Sequence, residues 1–213
     1  MKQYSTYIFD LDGTLLNTLQ DLYTSCNYAL TAQGYPARTI EEIRQYVGNG
    51  VKTLIEKAVP EGQSAEQIEE TLAIFREHYM LHGFDTTAPY EGIIAMLAEL
   101  KRRNNNIAVV SNKFYDATKQ LCNHFFADYV NVAIGEKENI RKKPAPDIVY
   151  EALRQLGVST SDAVFVGDSD VDIVTAQNCD IPCISVLWGF RDKDFLESFG
   201  ASDFANRPED LLE

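Results

Sequence analysis

The amino-acid sequence predicts an α/β fold, in which a doubly wound parallel sheet carries helices on both faces and an α-helical domain is inserted after the first strand. From about residue 87 onward, short apolar β-prone runs alternate with amphipathic helical stretches, as in parallel sheets with crossover helices. Between residues 17 and 86 the apolar spacing is helical. We therefore expect a core made of residues 1–16 and 87–213, with residues 17–86 forming the inserted domain.

The first strand and the inserted helices have clear signals at their ends. The run Tyr4–Phe9 is short, apolar and β-prone, and it stops abruptly at an aspartate, which predicts a buried strand. A first helix then carries apolar residues at helical spacing until the stretch Gly34–Pro36 ends it. Ser64 followed by Gln67 matches a capping box and predicts the start of another helix.

The second half of the chain is predicted to alternate between helices and strands. Gly157 lies directly after one of these helices, where glycine favours helix termination. In chain order the expected elements are a helix at 93–100, a strand at 107–110, a helix through 121, a strand at 129–134, a helix at 146–156, a strand at 163–166, a helix at 171–177 and a strand at 183–186.

The amino-acid composition argues against several classes of partner and location. Acidic residues outnumber basic ones by 32 to 19, so the net charge of −13 opposes binding to nucleic acid and to anionic membranes. No apolar run approaches the ~20 residues needed to span a bilayer, and the polar N-terminus predicts no secretory leader. The four cysteines form no C-x-x-C pair, which favours free thiols in a reducing cytoplasm: Cys26, Cys122, Cys179 and Cys183.

Candidate site residues collect where the predicted core strands end. In open parallel sheets, ligands bind beyond the carboxyl ends of the strands. Carboxylates, a hydroxyl and a lysine would all arrive at this one edge. The groups that follow the first four core strands in turn are Asp10, Asp12, Gly13 and Thr14; Ser111, Asn112 and Lys113; Lys143; and Asp168 with Asp172.

The charges at this edge indicate a divalent cation. Asp10 and Asp12 flank one residue, so their side chains point the same way in extended backbone. Together with Asp168 and Asp172, these carboxylates cannot all stay ionised without compensation, which a bound cation supplies. Oxygen ligands and a phosphate partner favour Mg²⁺ over zinc.

The same residues suit the transfer of a phosphoryl group. An ionised Asp10 could attack phosphorus, since aspartate is an established nucleophile in this chemistry. Asp12 could protonate the leaving oxygen and later activate water. Lys143 and the Ser111 hydroxyl could neutralise the oxygens of the transferring group. The sequence therefore predicts these four residues as catalytic.

The pattern resembles the signature of the haloacid dehalogenase superfamily, from residue 7 to about residue 186. The resemblance implies a Rossmann-like core with a helical cap inserted after the first motif. It implies Asp10 as the nucleophile and Asp12 as the general acid and base. It further implies Mg²⁺ held by Asp10, Asp168 and the backbone carbonyl of Asp12, with Asp172 supporting the metal. The four matching motifs are Asp10-Leu11-Asp12-Gly13-Thr14, Ser111, Lys143, and Gly167-Asp168 with Asp172.

Within the superfamily, the sequence is most similar to phosphoglycolate phosphatases with a helical cap. Dehalogenases lack the second aspartate of the first motif, so Asp12 indicates phosphoryl transfer. The similarity extends to residues 111–113, to Lys143–Asp147, to the linker Pro89–Gly92 and to Val47–Val51 of the cap. Expected substrate contacts are Gly13, Thr14, Asn112, Lys113, Gly48 and Asn49.

Other interpretations stay open. A β-phosphoglucomutase-like phosphomutase or an inorganic pyrophosphatase could share this scaffold, and a non-catalytic metal-binding regulatory module is a rival of a different class. Ser111 could cap the helix that follows it, Lys113 could be a plain surface lysine, and Trp188 near a turn is typical of packing. We expect a cytoplasmic monomer or homodimer that acts on a small phosphomonoester, with no nucleic-acid or membrane partner.

Overall fold

The computed structural model describes residues 3–213 and divides the chain into two compact units. One unit is the chain up to Leu16 together with Pro89–Glu213, and the other is Asn17–Ala88. The first contains a parallel sheet with helices, and the second is built from helices. The predicted fold class, an α/β core with an inserted α-helical domain, is therefore confirmed.

The strands of the described chain form one large and one small sheet. The large sheet has the order β5-β4-β1-β6-β7-β8 and is parallel throughout, while β2 and β3 pair where the chain passes between the two units. In chain order the strands are β1 (Thr6–Phe9), β2 (Leu16–Asn17), β3 (Ala88–Pro89), β4 (Asn106–Phe114), β5 (Val132–Glu136), β6 (Ala163–Gly167), β7 (Cys183–Val186) and β8 (Asp203–Ala205).

The helices divide between the two units. None of those within residues 3–213 is long and apolar enough to cross a membrane. The helical unit contains α1 (Leu19–Ala32), α2 (Ile40–Tyr46), α3 (Val51–Ala58) and α4 (Ala65–His82). The core unit contains α5 (Ile93–Arg102), α6 (Tyr115–Phe126), α7 (Asp147–Leu156), α8 (Asp170–Asn178) and α9 (Lys193–Ser198), with short 3₁₀ turns at Thr160–Asp162 and Pro208–Leu212.

The central strands of the large sheet are buried on both faces, which explains their continuous apolar character. Every residue of β1 and β6 is buried, and Ile8 pairs in register with Ala108 on one side and Phe165 on the other. The apolar face of α7, including Ile148 and Val149, packs into the same cluster. This core places the ends of β1, β4 and β6 side by side.

Several predicted boundaries need correction. The strand expected at 129–134 begins only at Val132, because Tyr129 donates its N–H to the Phe126 carbonyl in the turn after α6. The strand expected at 107–110 continues to Phe114, past an irregularity in its pairing with β5. Neither α9 nor β8 was predicted from the sequence, since both are short.

One predicted helix start, one predicted helix end and the predicted free cysteines all match the structure. Ser64 and Gln67 form the predicted reciprocal capping box at the start of α4. Gly157 ends α7 in a left-handed conformation, with a φ of 71°. All four cysteines are free, as predicted, and Cys183 alone among them is partly exposed.

A buried carboxylate organises the helical unit. Asp21 lies in the first turn of α1 and is 3% exposed. Its oxygens accept hydrogen bonds from the backbone N–H and the hydroxyl of Thr86, and from the same two groups of Thr87, at 2.6 to 3.1 Å. Hydrogen bonds to an ionised acceptor are stronger than neutral ones. Asp21 therefore ties the last residues of the helical unit to its first helix.

Replacing Asp21 with alanine should lower the free energy of unfolding by about 3 kcal/mol, because it leaves the buried donors of Thr87, and those of the more exposed Thr86, without their acceptor. Glu66→Ala is the matched control, since Glu66 is also a first-turn carboxylate but is exposed. It should cost less than about 1 kcal/mol. Urea denaturation of both variants measures the difference. Equal losses would mean that Asp21 acts only through the helix dipole.

Candidate active site

Three buried carboxylates meet at the carboxyl edge of the large sheet. Asp10 follows β1, Asp168 follows β6, and Asp172 lies in the first turn of α8. One carboxylate oxygen from each residue lies within 4.8 Å of the other two, and none of the three residues is more than 6% exposed. The structure therefore brings together three carboxylates that the sequence predicts at the ends of two strands.

Lys143 brings a positive charge into this cluster. Its ammonium lies 2.8 Å from an Asp10 oxygen and 2.7 Å from an Asp172 oxygen. The Nζ atom also lies 5.4 Å from the centroid of the Phe165 ring. Burial disfavours the ammonium form, but the two carboxylates outweigh that effect and raise the pKa of Lys143. Lys143 is therefore a charged bridge between Asp10 and Asp172.

Hydrogen bonds fix the other two carboxylates. Asp168 accepts from the Thr14 hydroxyl at 3.2 Å through one oxygen and from the Phe190 backbone N–H at 2.7 Å through the other. Asp172 accepts from the Ser169 backbone N–H at 3.1 Å and from the Ser169 hydroxyl at 2.6 Å. Its second oxygen is the one that faces the lysine. The carboxylates are thus held in place before any ligand arrives.

The electrostatics of the cluster favour a cation. Burial raises the pKa of Asp10 well above its ordinary value; Lys143 opposes the rise, and Asp172 and Asp168 add to it. Burial, followed by the charge of Asp172, raises the pKa of Asp168 to about 7. Further positive charge would let these groups ionise together. Because their donor atoms are all oxygens, the cluster could hold a hard divalent metal ion.

Asp12 lies outside this cluster, and its carboxylate faces a different lysine. The Lys113 ammonium donates to both Asp12 oxygens, at 3.0 and 2.9 Å. Lys113 is 3% exposed, so the interpretation of Lys113 as a plain surface lysine is wrong. Its predicted contact with substrate stays a prediction, as does the predicted bond from the Asp12 backbone carbonyl to a metal.

Ser111 and Asn112 lie at the end of β4 and are both buried. The Ser111 hydroxyl accepts the backbone N–H of Lys113 at 3.2 Å, and the Asn112 amide donates to the Lys143 carbonyl at 2.9 Å. Phe114 is the residue that precedes α6, so the alternative of Ser111 as a helix cap is wrong. Ser111 and Asn112 lie next to the two site lysines.

Gly13 and Thr14 contact the Asp168 carboxylate. Gly13 has a φ of 86°, and a Cβ there would collide with the Asp168 carboxylate. Thr14 is fully buried and donates to that same group. Both residues therefore shape the site, while their predicted substrate contacts stay predictions.

Gly48 and Asn49 lie in the helical unit, in the turn between α2 and α3. Gly48 has a φ of 123°, and Gly50, which directly precedes α3, has a φ of 88°. These angles require glycine at both positions. The role of Gly48 and Asn49 in binding substrate stays a prediction.

The loop from Trp188 to Phe190 supports the site, although Trp188 near a turn is typical of packing. The Trp188 indole N–H donates to the Thr14 carbonyl at 2.9 Å, and Phe190 donates its backbone N–H to Asp168. A Cβ on Gly189 would collide with the Asp168 side chain and with the Gly13 carbonyl. The available signal was a glycine directly after Trp188, just beyond the carboxyl end of β7.

Known proteins resemble the chain over most of its length. The family model described as haloacid dehalogenase-like hydrolase matches residues 7–186. A phosphoglycolate phosphatase of Aquifex aeolicus (strain VF5) is 31% identical over 206 residues, which cover 96% of this chain and 93% of the relative. Phosphoglycolate phosphatase 1 of Pseudomonas aeruginosa is 31% identical over 190 residues, which cover 86% of this chain and 70% of the relative.

A crystal structure from Lactobacillus delbrueckii subsp. bulgaricus, attributed to a phosphoglycolate phosphatase, shares 33% identity and a TM-score of 0.93. The match covers 99% of this chain and 97% of that one. Together these similarities confirm the predicted resemblance and the predicted enzyme class, a phosphatase.

Gly189→Ala should lower the rate of phosphate release roughly 100-fold, because a methyl group there pushes the loop off Asp168 and displaces a site carboxylate by about an ångström. Gly157→Ala is the control: it strains a left-handed glycine but meets no atom within 4 Å. It should cost stability and leave turnover intact. Steady-state assays on both folded variants compare them. Unchanged turnover in Gly189→Ala would mean that the loop does not position Asp168.

Proposed function

Because the chain belongs to the haloacid dehalogenase-like hydrolase family, we propose that it is a Mg²⁺-dependent phosphomonoester hydrolase that forms a phospho-aspartyl intermediate on Asp10. The observation that carries this proposal is the Lys143 bridge. It holds Asp10, the group placed to attack, beside Asp172 in a buried setting and brings an ammonium group to both. Positioned charge of this kind is what phosphoryl transfer needs.

The proposed metal site uses oxygen atoms of the buried cluster. Asp10, Asp168 and the backbone carbonyl of Asp12 would hold Mg²⁺. Asp172 suits a supporting role, because its oxygens already accept bonds from Lys143 and Ser169. When bound, Mg²⁺ supplies positive charge that neutralises carboxylate and phosphoryl oxygens. The raised pKa values of Asp10 and Asp168, caused first by burial and then by neighbouring carboxylates, support this assignment, since a bound cation would offset both effects.

In the first step, an Asp10 oxygen forms a bond to phosphorus as the bond from phosphorus to the leaving oxygen breaks. Asp12 gives its proton to that leaving oxygen, so the product departs as an alcohol. Lys143 orients Asp10 through one carboxylate oxygen, which lets the other oxygen attack. The charge of Lys143 and the hydroxyl of Ser111 neutralise the phosphoryl oxygens as negative charge develops on them.

In the second step, water releases the phosphoryl group. Asp12, now a carboxylate, takes a proton from water, and the water oxygen forms a bond to phosphorus. The bond between phosphorus and the Asp10 oxygen breaks, so inorganic phosphate leaves and the Asp10 carboxylate is restored. One carboxylate thus serves as acid and then as base in the same cycle.

We propose a small phosphorylated metabolite as the substrate, with phosphoglycolate as the leading candidate. The names of the relatives from Aquifex aeolicus and Pseudomonas aeruginosa support that choice. Residues 17–86 are proposed to act as a cap that selects the substrate, with Gly48 and Asn49 making contacts to it. A phosphomutase and a pyrophosphatase remain the alternatives on this scaffold.

The proposed setting is the cytoplasm, where the enzyme would act as a monomer or homodimer on a small molecule. The four free cysteines support a reducing compartment. The excess of acidic residues, 32 against 19 basic ones, supports a partner other than nucleic acid or an anionic membrane.

Asp10→Asn should lower turnover by roughly 10⁴-fold or more, because the amide cannot form the acyl phosphate. Asp116→Asn, an exposed aspartate in the first turn of α6, is the control and should retain full activity. Phosphate release is measured for both variants beside the wild type, with circular dichroism to confirm folding. Normal turnover in Asp10→Asn would overturn the mechanism and favour a different nucleophile.

Phosphate release should depend on Mg²⁺ and should be fastest with phosphoglycolate. The assay compares phosphoglycolate, glucose 1-phosphate and pyrophosphate, before and after chelation and again with Mg²⁺ restored. Formation of glucose 6-phosphate would identify a mutase, and preference for pyrophosphate would identify a pyrophosphatase. Undiminished activity after complete metal removal would overturn the Mg²⁺ assignment. No release from any substrate, with Mg²⁺ present, would favour the non-catalytic binding module.

A further inference from the structure

Two buried lysines pair with different acidic residues of the site. Lys143 faces Asp10 and Asp172, whereas Lys113 faces Asp12 through both carboxylate oxygens. The Lys113 side chain is 1% exposed and that of Asp12 is 12% exposed. A buried ion pair is costly to desolvate, so such a pair is weak evidence for stability and calls for another role.

The backbone of Lys113 is fixed independently of its side chain. Its N–H donates to the Ser111 hydroxyl at 3.2 Å, and its carbonyl accepts from the Thr118 hydroxyl at 3.3 Å. Gly135 of β5 packs so closely that a Cβ there would lie 2.7 Å from the Lys113 carbonyl oxygen. The Lys113 side chain therefore extends from a backbone segment that is held in place.

The pairing irregularity in β4 explains why Lys113 can reach Asp12. The register between β4 and β5 shifts between Val110 and Phe114, the segment that contains Lys113. Such irregularities redirect side chains next to functional sites. Strand β4 is the direct neighbour of β1, and Asp12 lies just beyond the end of β1. Lys113 in this segment can therefore contact Asp12.

The carboxylate of Asp12 is therefore separated from the carboxylate cluster that could hold a metal ion. The oxygens of Asp10, Asp168 and Asp172 lie together, while the Asp12 carboxylate faces Lys113. A carboxylate that transfers protons must keep a fixed direction toward the reacting atoms, and a small displacement lowers the rate steeply. A two-point contact with a rigidly based ammonium provides that fixed direction.

We propose that Lys113 is a positioning residue that acts through Asp12, holding its carboxylate in the orientation that proton transfer requires. This inference rests on the proposed function, in which Asp12 is the acid and base. It differs from the sequence-based expectation that Lys113 contacts the substrate. The two roles predict different kinetics, because a positioning residue affects kcat and a substrate contact affects KM.

The test is a double-mutant cycle in phosphate release from p-nitrophenyl phosphate, whose leaving group departs readily enough to keep weak variants measurable. Lys113→Met and Lys113→Gln are each combined with Asp12→Asn, and Lys113→Arg tests rescue. Lys119→Met removes the same charge from α6 as a control. Thermal unfolding is recorded for every variant, and a variant with a wild-type transition is used for the cycle.

We expect Lys113→Met to lower kcat roughly 30-fold with KM changed less than about threefold, and Lys113→Arg to recover part of the loss. In the Asp12→Asn background, the same substitution should change kcat less than about twofold, because the residue it acts through is gone. An equal loss in both backgrounds would overturn the proposal. A raised KM with normal kcat would identify Lys113 as a substrate contact instead.

A failure of the Lys113 proposal can be distinguished from a failure of the proposed function. Asp10→Asn is assayed in parallel, and an active Asp10→Asn enzyme would overturn the proposed function whatever the cycle gives. An inactive Asp10→Asn enzyme together with additive losses from Lys113 and Asp12 would overturn only the assignment of Lys113.

Discussion

The contact of the Lys143 ammonium with Asp10 and Asp172 is the constraint on which the site depends. All three groups are buried, and Asp168 adds a further carboxylate close by. Burial, together with the charges of neighbouring carboxylates, raises the pKa values of Asp10 and Asp168. Lys143 supplies part of the compensating positive charge from within the chain, and the clustered carboxylate oxygens could hold a divalent metal ion.

The parallel sheet makes this arrangement possible. Strands β1, β4 and β6 are direct neighbours, so side chains that are more than 100 residues apart in sequence meet at one edge. The packing around the Asp168 side chain leaves no room for a Cβ on two neighbouring glycines. Gly13 and Gly189 both lie against the Asp168 side chain, and any Cβ would collide with it. The positions of the site carboxylates and the backbone geometry therefore constrain each other.

Much of this could be predicted from the sequence because its signals are local. Apolar runs located β1, β6 and β7 closely, and the short motif around Asp10 identified the first carboxylates. The partner of Lys113 could not be predicted in this way. Its environment depends on a shift in the register of β4 and on the close approach of Gly135, neither of which leaves a periodic pattern. The same holds for Trp188, whose hydrogen bond to Thr14 spans 174 residues.

The sequence by itself determined the alternation of strands and helices, the inserted helical block and the types of residue that follow each strand. Those features depend on the spacing of apolar residues and on short motifs, and both are local properties of the sequence. Only the tertiary structure decided which lysine pairs with which carboxylate. It also decided that the Trp188–Phe190 loop donates a hydrogen bond to Asp168. Electrostatic pairing depends on distances of a few ångströms between distant segments, and those distances exist only once the sheet has formed.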